Sequence, residues 1–123
     1  MGTSSVGKPV WFDLTVPNAA EVRDFYAAVC GWRAEDHPME NYADFSMYAP
    51  DGTRVSGICH AKGVNASLPP VWLPYVVVED LDATLLTAEA RGGTIIDKRT
   101  SIAVIQDPAG AYMAFWQAAP ETV

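Results

Sequence analysis

The sequence predicts an α+β domain: two βαβββ modules whose strands form a curved mixed sheet, with the helices on one face and a cup on the other. Three observations predict it. The order strand, helix, strand, strand, strand runs twice along the chain, at about 60 residues per copy. Each helix pattern ends at glycine, Gly31 in the first copy and Gly92-Gly93 in the second. Each copy also joins its last two strands through a matching turn, Ala49-Pro50-Asp51-Gly52 and Asp107-Pro108-Ala109-Gly110.

The first strand is Val10 to Val16, where Trp11, Asp13 and Thr15 alternate with Phe12, Leu14 and Val16. A helix follows. Asn18 is placed to cap it and Glu21 completes a capping-box-like pair. Val22, Phe25, Tyr26 and Val29 recur at helical spacing and form its expected buried stripe. Gly31 suits a left-handed stop. Short strands are expected near Trp32 to Glu35, Ala43 to Ala49 and Thr53 to His60. His37, beside Pro38, falls in a loop, and Trp32 is assigned to the core or to a dimer contact. Ala61 to Pro70 has no periodicity and reads as a linker.

The second copy opens with a β-branched strand, Trp72 to Val78. Asp80 caps the next helix, with Leu81, Leu85, Leu86 and Ala88 as its apolar positions. Strands follow at Thr94 to Asp97, Ile102 to Gln106 and Ala111 to Gln117. One domain is therefore expected over 9–117, with modules at about 9–60 and 71–117 around the linker 61–70. Residues 1–8 read as a flexible arm and 118–123 as a tail.

Composition narrows the function. The chain has 123 residues, half of them hydrophobic, and a net charge of −7. A domain of this length holds a real core. The acidic balance argues against nucleic acid, whose phosphates need clustered Lys and Arg. No apolar run approaches a membrane span, and the N-terminus lacks a signal-peptide stretch. Cys30 and Cys59 have no metal or redox spacing and read as free thiols of a cytoplasmic protein.

In order and spacing, several short motifs together resemble the vicinal oxygen chelate superfamily of glyoxalases, extradiol dioxygenases and bleomycin-resistance proteins. They are Leu14-Thr15-Val16 leading to Phe25-Tyr26 and Gly31-Trp32, then Val78-Glu79-Asp80-Leu81-Asp82-Ala83. Ala90-Arg91-Gly92-Gly93-Thr94 and Gln106-Asp107-Pro108-Ala109-Gly110 complete the set. The resemblance covers about residues 9–117. It implies paired βαβββ modules, a cup and a homodimer.

Metal-dependent members of that superfamily carry His, Gln or Glu at four strand positions. The resemblance places those positions here on Trp11, Ser56, Leu73 and Ala114. Indole, hydroxymethyl and alkyl groups are poor donors for a divalent cation. The expectation is no metal and no cofactor.

Alternation gives a cup-facing, ligand-binding set of Trp11, Asp13, Thr15, Ser56, Ile58, His60, Leu73, Tyr75, Tyr112, Ala114 and Trp116. Small residues at 56 and 114 leave room, and the aromatics offer flat apolar walls. The alternative is that these aromatics fill the cup themselves. The leading functional expectation is a metal-independent protein that sequesters an aromatic antibiotic or related natural product. The competing one is a metal-independent isomerase, cyclase or epimerase using Asp13 or His60 as acid/base.

Overall fold

The computed structural model describes residues 5–119. Its elements are β1 (Pro9–Val16), α1 (Ala19–Cys30), β2 (Arg33–Pro38), β3 (Ala43–Tyr48), β4 (Arg54–His60), β5 (Leu73–Val78), α2 (Leu81–Ala90), β6 (Thr94–Lys98), β7 (Ile102–Gln106) and β8 (Tyr112–Gln117). This is the order βαβββ twice. The chain divides into two compact units, Phe12–Trp72 and, in the other, Leu73 onward together with the residues up to Trp11.

In the unit Phe12–Trp72, β3 pairs antiparallel with β2 and β4, and β4 pairs parallel with β1. Leu14 lies beside Ile58, and Phe45 lies opposite Ile58. One strand face therefore carries Leu14, Val16, Phe45, Met47 and Ile58, which pack with Ala19 of α1 into a buried core. Each such side chain taken from water contributes about 1.5–3 kcal/mol. Beside this core Tyr26 stacks on Trp32 at 5.8 Å and meets the edge of Trp72 at 5.3 Å. The Trp72 indole N–H donates to the Tyr26 hydroxyl at 3.0 Å. Trp32 is thus half-buried and packs against the core of this unit.

The helix α1 differs from expectation at two places. The Asn18 side chain makes no cap to the backbone; its amide donates to the Glu21 carboxylate at 2.9 Å. The stripe is also narrower, because Val22 and Tyr26 pack inward while Phe25 and Val29 stand 56% and 64% exposed. At the other end Gly31 adopts φ 71°, ψ 20° and stops the helix as its sequence position suggests. The strand β2 runs further than expected. His37 lies within it, in register with Asp44, and not in a loop.

In the other unit β5 pairs parallel with β8, and β7 pairs antiparallel with β6 and β8. Leu81 and Leu85 of α2 pack on Ala103 and Ile105, with Val78, Ile95, Met113 and Phe115 around them. Leu86 is exposed and takes no part in that core. Asp80 caps α2 by accepting the Ala83 N–H at 3.1 Å, and Gln117 Oε1 accepts the Leu81 N–H at 2.9 Å. Two of the four orphan donors at that terminus are so satisfied.

Of the segment 1–8, residues 1–4 lie outside the described residues. Val6 forms a parallel bridge with Val77; the Gly7 N–H donates to Val77 at 2.7 Å, and the Val77 N–H donates to Lys8 at 3.1 Å. Residues 120–123 also lie outside the described residues, while the Ala118 N–H donates to Val78. The two matched turns close alike. Gly52 and Gly110 have φ 88° and 85°, and their N–H groups donate to Ala49 and Asp107 at 2.9 Å each. Asp51 accepts the Thr53 N–H at 2.9 Å, which holds its carboxyl below the ordinary value. No helix among the described residues is long and apolar enough to cross a membrane.

Candidate functional site

Part of the candidate ligand-binding set sits on strand faces turned away from the helix of its own unit. In the unit beginning at Leu73 the expected alternation holds. Tyr75 is in register with Ala114, Val77 with Trp116, and Val104 with Ala114. None of these belongs to the cluster under α2. Leu73, Tyr75, Tyr112, Ala114 and Trp116 therefore share the face away from that helix. The Tyr75 and Trp116 rings meet edge to face at 6.3 Å. Leu73, Tyr75 and Ala114 are buried, whereas Tyr112 and Trp116 are half-buried. Tyr112 and Trp116 are thus the more exposed aromatics of this face.

In the unit Phe12–Trp72 the alternation of β4 is one residue out from expectation. Asp13 is in register with Gly57, and Thr15 with Cys59. Ile58 is 0% exposed and packs in the core under α1. Ser56 lies opposite Met47, a member of the same core. Ser56 and Ile58 consequently face the helix side, and Gly57 and Cys59 share the face of Asp13 and Thr15. The physical reason is the pairing with β3. Phe45 and Met47 must be buried under α1, and their register partners Ile58 and Ser56 go with them.

This shift gives Gly57 a specific role. A Cβ at Gly57 would overlap the Asp13 carboxylate. The bare strand backbone is what lets that carboxylate lie across β4. Ser46 is buried and in register with Gly57, so Asp13, Gly57 and Ser46 form one row across three strands. Trp11 and Asp13 are half-buried and Thr15 is buried. Around Gly57 this face is polar, carrying Asp13, Thr15 and Ser46.

Ser56 pays for its place on the helix side. Its Oγ is buried without a hydrogen-bond partner among the described residues. An unmet buried hydroxyl costs about 1–3 kcal/mol. Ser56→Ala is therefore expected to raise stability by about 1 kcal/mol in urea denaturation. A clear loss of stability would show that the hydroxyl is satisfied in solution.

His60 also leaves the expected set. It follows Ile58 at the end of β4, and its ring lies 5.9 Å from Phe45 and 5.2 Å from Tyr42. Asp44 Oδ1 accepts the His60 backbone N–H at 2.8 Å and lies 3.2 Å from its Nδ1. Sequence reasoning missed both Asp44 and Gly57. Counting outward from the Ala49–Thr53 turn pairs Phe45 with Gly57; the irregularity between Met47 and Tyr48 moves Phe45 opposite Ile58, and no sequence signal marked it.

A glyoxalase-like domain family matches residues 10–116. The chain is 30% identical over 120 residues to CFP32 of Mycobacterium tuberculosis, a protein bearing a glyoxylase name, covering 91% of this chain and 46% of that protein. It is 28% identical over 129 residues to the anthracycline biosynthesis protein DnrV of Streptomyces peucetius, covering 90% of this chain and 47% of that protein. The chain thus spans about half the length of these curated relatives. Among solved structures, methylmalonyl-CoA epimerase from Mycobacterium tuberculosis superposes with a TM-score of 0.55 at 17% identity, covering 98% of this chain and 93% of that one.

Proposed function

Because the chain belongs to the glyoxalase-like domain family of the vicinal oxygen chelate superfamily, we propose that it is a metal-independent protein that binds an aromatic natural product. The observation that carries this reading is the Tyr75–Trp116 edge-to-face pair on a strand face turned away from its helix. Half-buried Trp116 and Tyr112 offer a planar ligand a stacking surface. Similarity to an anthracycline biosynthesis protein supports a planar polyketide as the ligand class. Holding such a molecule away from its target is sequestration.

A divalent cation does not fit the inherited positions. The resemblance puts these positions on Trp11, Ser56, Leu73 and Ala114, whose indole, hydroxymethyl and alkyl groups are poor donors for it. The spacing of Cys30 and Cys59, which suits neither a metal nor a redox motif, supports a cytoplasmic setting, and the assembly we propose is a homodimer.

Titration with an anthracycline, followed by tryptophan emission and equilibrium dialysis, tests the reading. Saturable binding with a dissociation constant of about 1 μM or below is expected. Trp116→Ala should weaken it about tenfold, the value of one lost stacking contact. Absence of retention in dialysis across anthracyclines, bleomycins, mitomycins and enediynes would remove the basis for a sequestering role.

A further inference from the structure

Two helix surfaces lie uncovered, and they complement each other. On α1, Glu21, Phe25 and Val29 stand four residues apart and so form one ridge along the helix. All three are exposed, Phe25 by 56% and Val29 by 64%. The Phe25 ring meets Tyr26 edge to face at 5.0 Å, which fixes its orientation before any partner arrives.

Beside α2 runs an open groove of about 590 Å³. Two rows of the helix line it, Thr84-Ala88 and Ala83-Thr87-Arg91, together with Phe115 of β8. The alanines and threonines are short, so a larger side chain from outside finds room between the rows. A ridge of residues four apart laid into a groove between such rows is the commonest way that helices pack.

Charge sets the direction. Arg91 closes the C-terminal end of the groove and Glu79 its N-terminal end. Neither side chain forms an ion pair among the described residues. Laid antiparallel, the ridge brings Glu21 to Arg91; laid parallel, it would bring Glu21 to Glu79. The second groove on α2, about 280 Å³ beside Leu86 and Ile95, differs in this respect. Its Lys98 and Asp82 already pair with each other at 3.3 Å.

We propose that a second copy of this chain docks here, the α1 ridge of one protomer lying antiparallel in the α2 groove of its partner. Phe25 and Val29 are the apolar knobs, and Glu21 against Arg91 of the other copy fixes the register. Every copy carries both a ridge and a groove, so a closed pair can make the contact twice. This gives the homodimer proposed above a defined contact. Phe115 lies on the helix side of β8, and Trp116 on the other. Docking and ligand binding therefore fail separately.

Sedimentation velocity on the full chain, at up to about 100 μM, tests the contact. Particles of two chains are expected. Phe25→Asp should weaken the association about 100-fold, as loss of a central apolar anchor does. Glu21→Arg and Arg91→Glu should each weaken it about tenfold, and the two together should restore it to within about threefold. Rescue by the double reversal is a readout that a mere loss of folding would not give. A single-chain particle at every concentration overturns the proposal. So does a two-chain particle that none of these substitutions weakens, which would leave the homodimer standing on another face. Ligand titration of Phe25→Asp should match that of the natural protein.

Discussion

Ile58→Ala is expected to lower stability by about 2–5 kcal/mol, one of the largest losses among single truncations in this chain. Ile58 is fully buried and touches a core drawn from β1, β3, β4 and α1. Removing its three outer carbons leaves a cavity that this crowded interior closes only in part. The same substitution distinguishes the two possible alternations of β4. An isoleucine facing a ligand would cost binding and little stability. Equilibrium urea denaturation, read alongside ligand titration, separates the outcomes. A loss below about 1 kcal/mol would return Ile58 to the ligand side.

Gly57→Val is expected to have the next largest effect. The added side chain would occupy the place of the Asp13 carboxylate, which must then swing away from β4. Overpacking of this kind costs about 1–3 kcal/mol. The loss should be coupled to Asp13. In the background Asp13→Ala, Gly57→Val should cost at least 1 kcal/mol less than it does alone, a coupling typical of residues in contact. A double-mutant cycle in thermal or urea denaturation measures that difference. Strict additivity would mean that Asp13 and Gly57 do not share this space in solution.

Much of the fold was legible because the two copies corroborate one another. Gly31, Asp80 and the matched turns behave as their sequence positions suggest, since each rests on local chemistry: a left-handed stop, a side-chain cap, an Asx turn. The alternation of β8 was equally readable, because Met113 and Phe115 on one side and Tyr112, Ala114 and Trp116 on the other leave either face well defined. The strand β4 was not. By alternation Ser56, Ile58 and His60 read as one ligand-facing set. The structure does the reverse because β3 dictates the register. A bulge between Met47 and Tyr48 adds a further break in the pattern.

Helix patterning failed for a different reason. Spacing identifies which residues share a helix face, but not how wide a strip the sheet beneath can cover. Val22 and Tyr26 are covered, while Phe25 and Val29 are not. The Asp44–His60 pair was invisible to any motif search, because its members come from different strands and meet only through tertiary pairing. It also shows why polarity alone misplaces a residue. A histidine can sit beside buried Phe45 when a buried carboxylate lies 3.2 Å from its Nδ1.

The bridge between Val6 and Val77 bears on how the polypeptide is made. During synthesis Val6 emerges long before its partner, so the ladder that Gly7 and Lys8 build with Val77 cannot close until α1 and its four strands have been translated. Contacts so distant along the chain are slow to form. A gene fragment starting at residue 73 would lack that bridge from the outset. Splitting the coding region at the apparent boundary would therefore leave one edge of β5 without its natural neighbour.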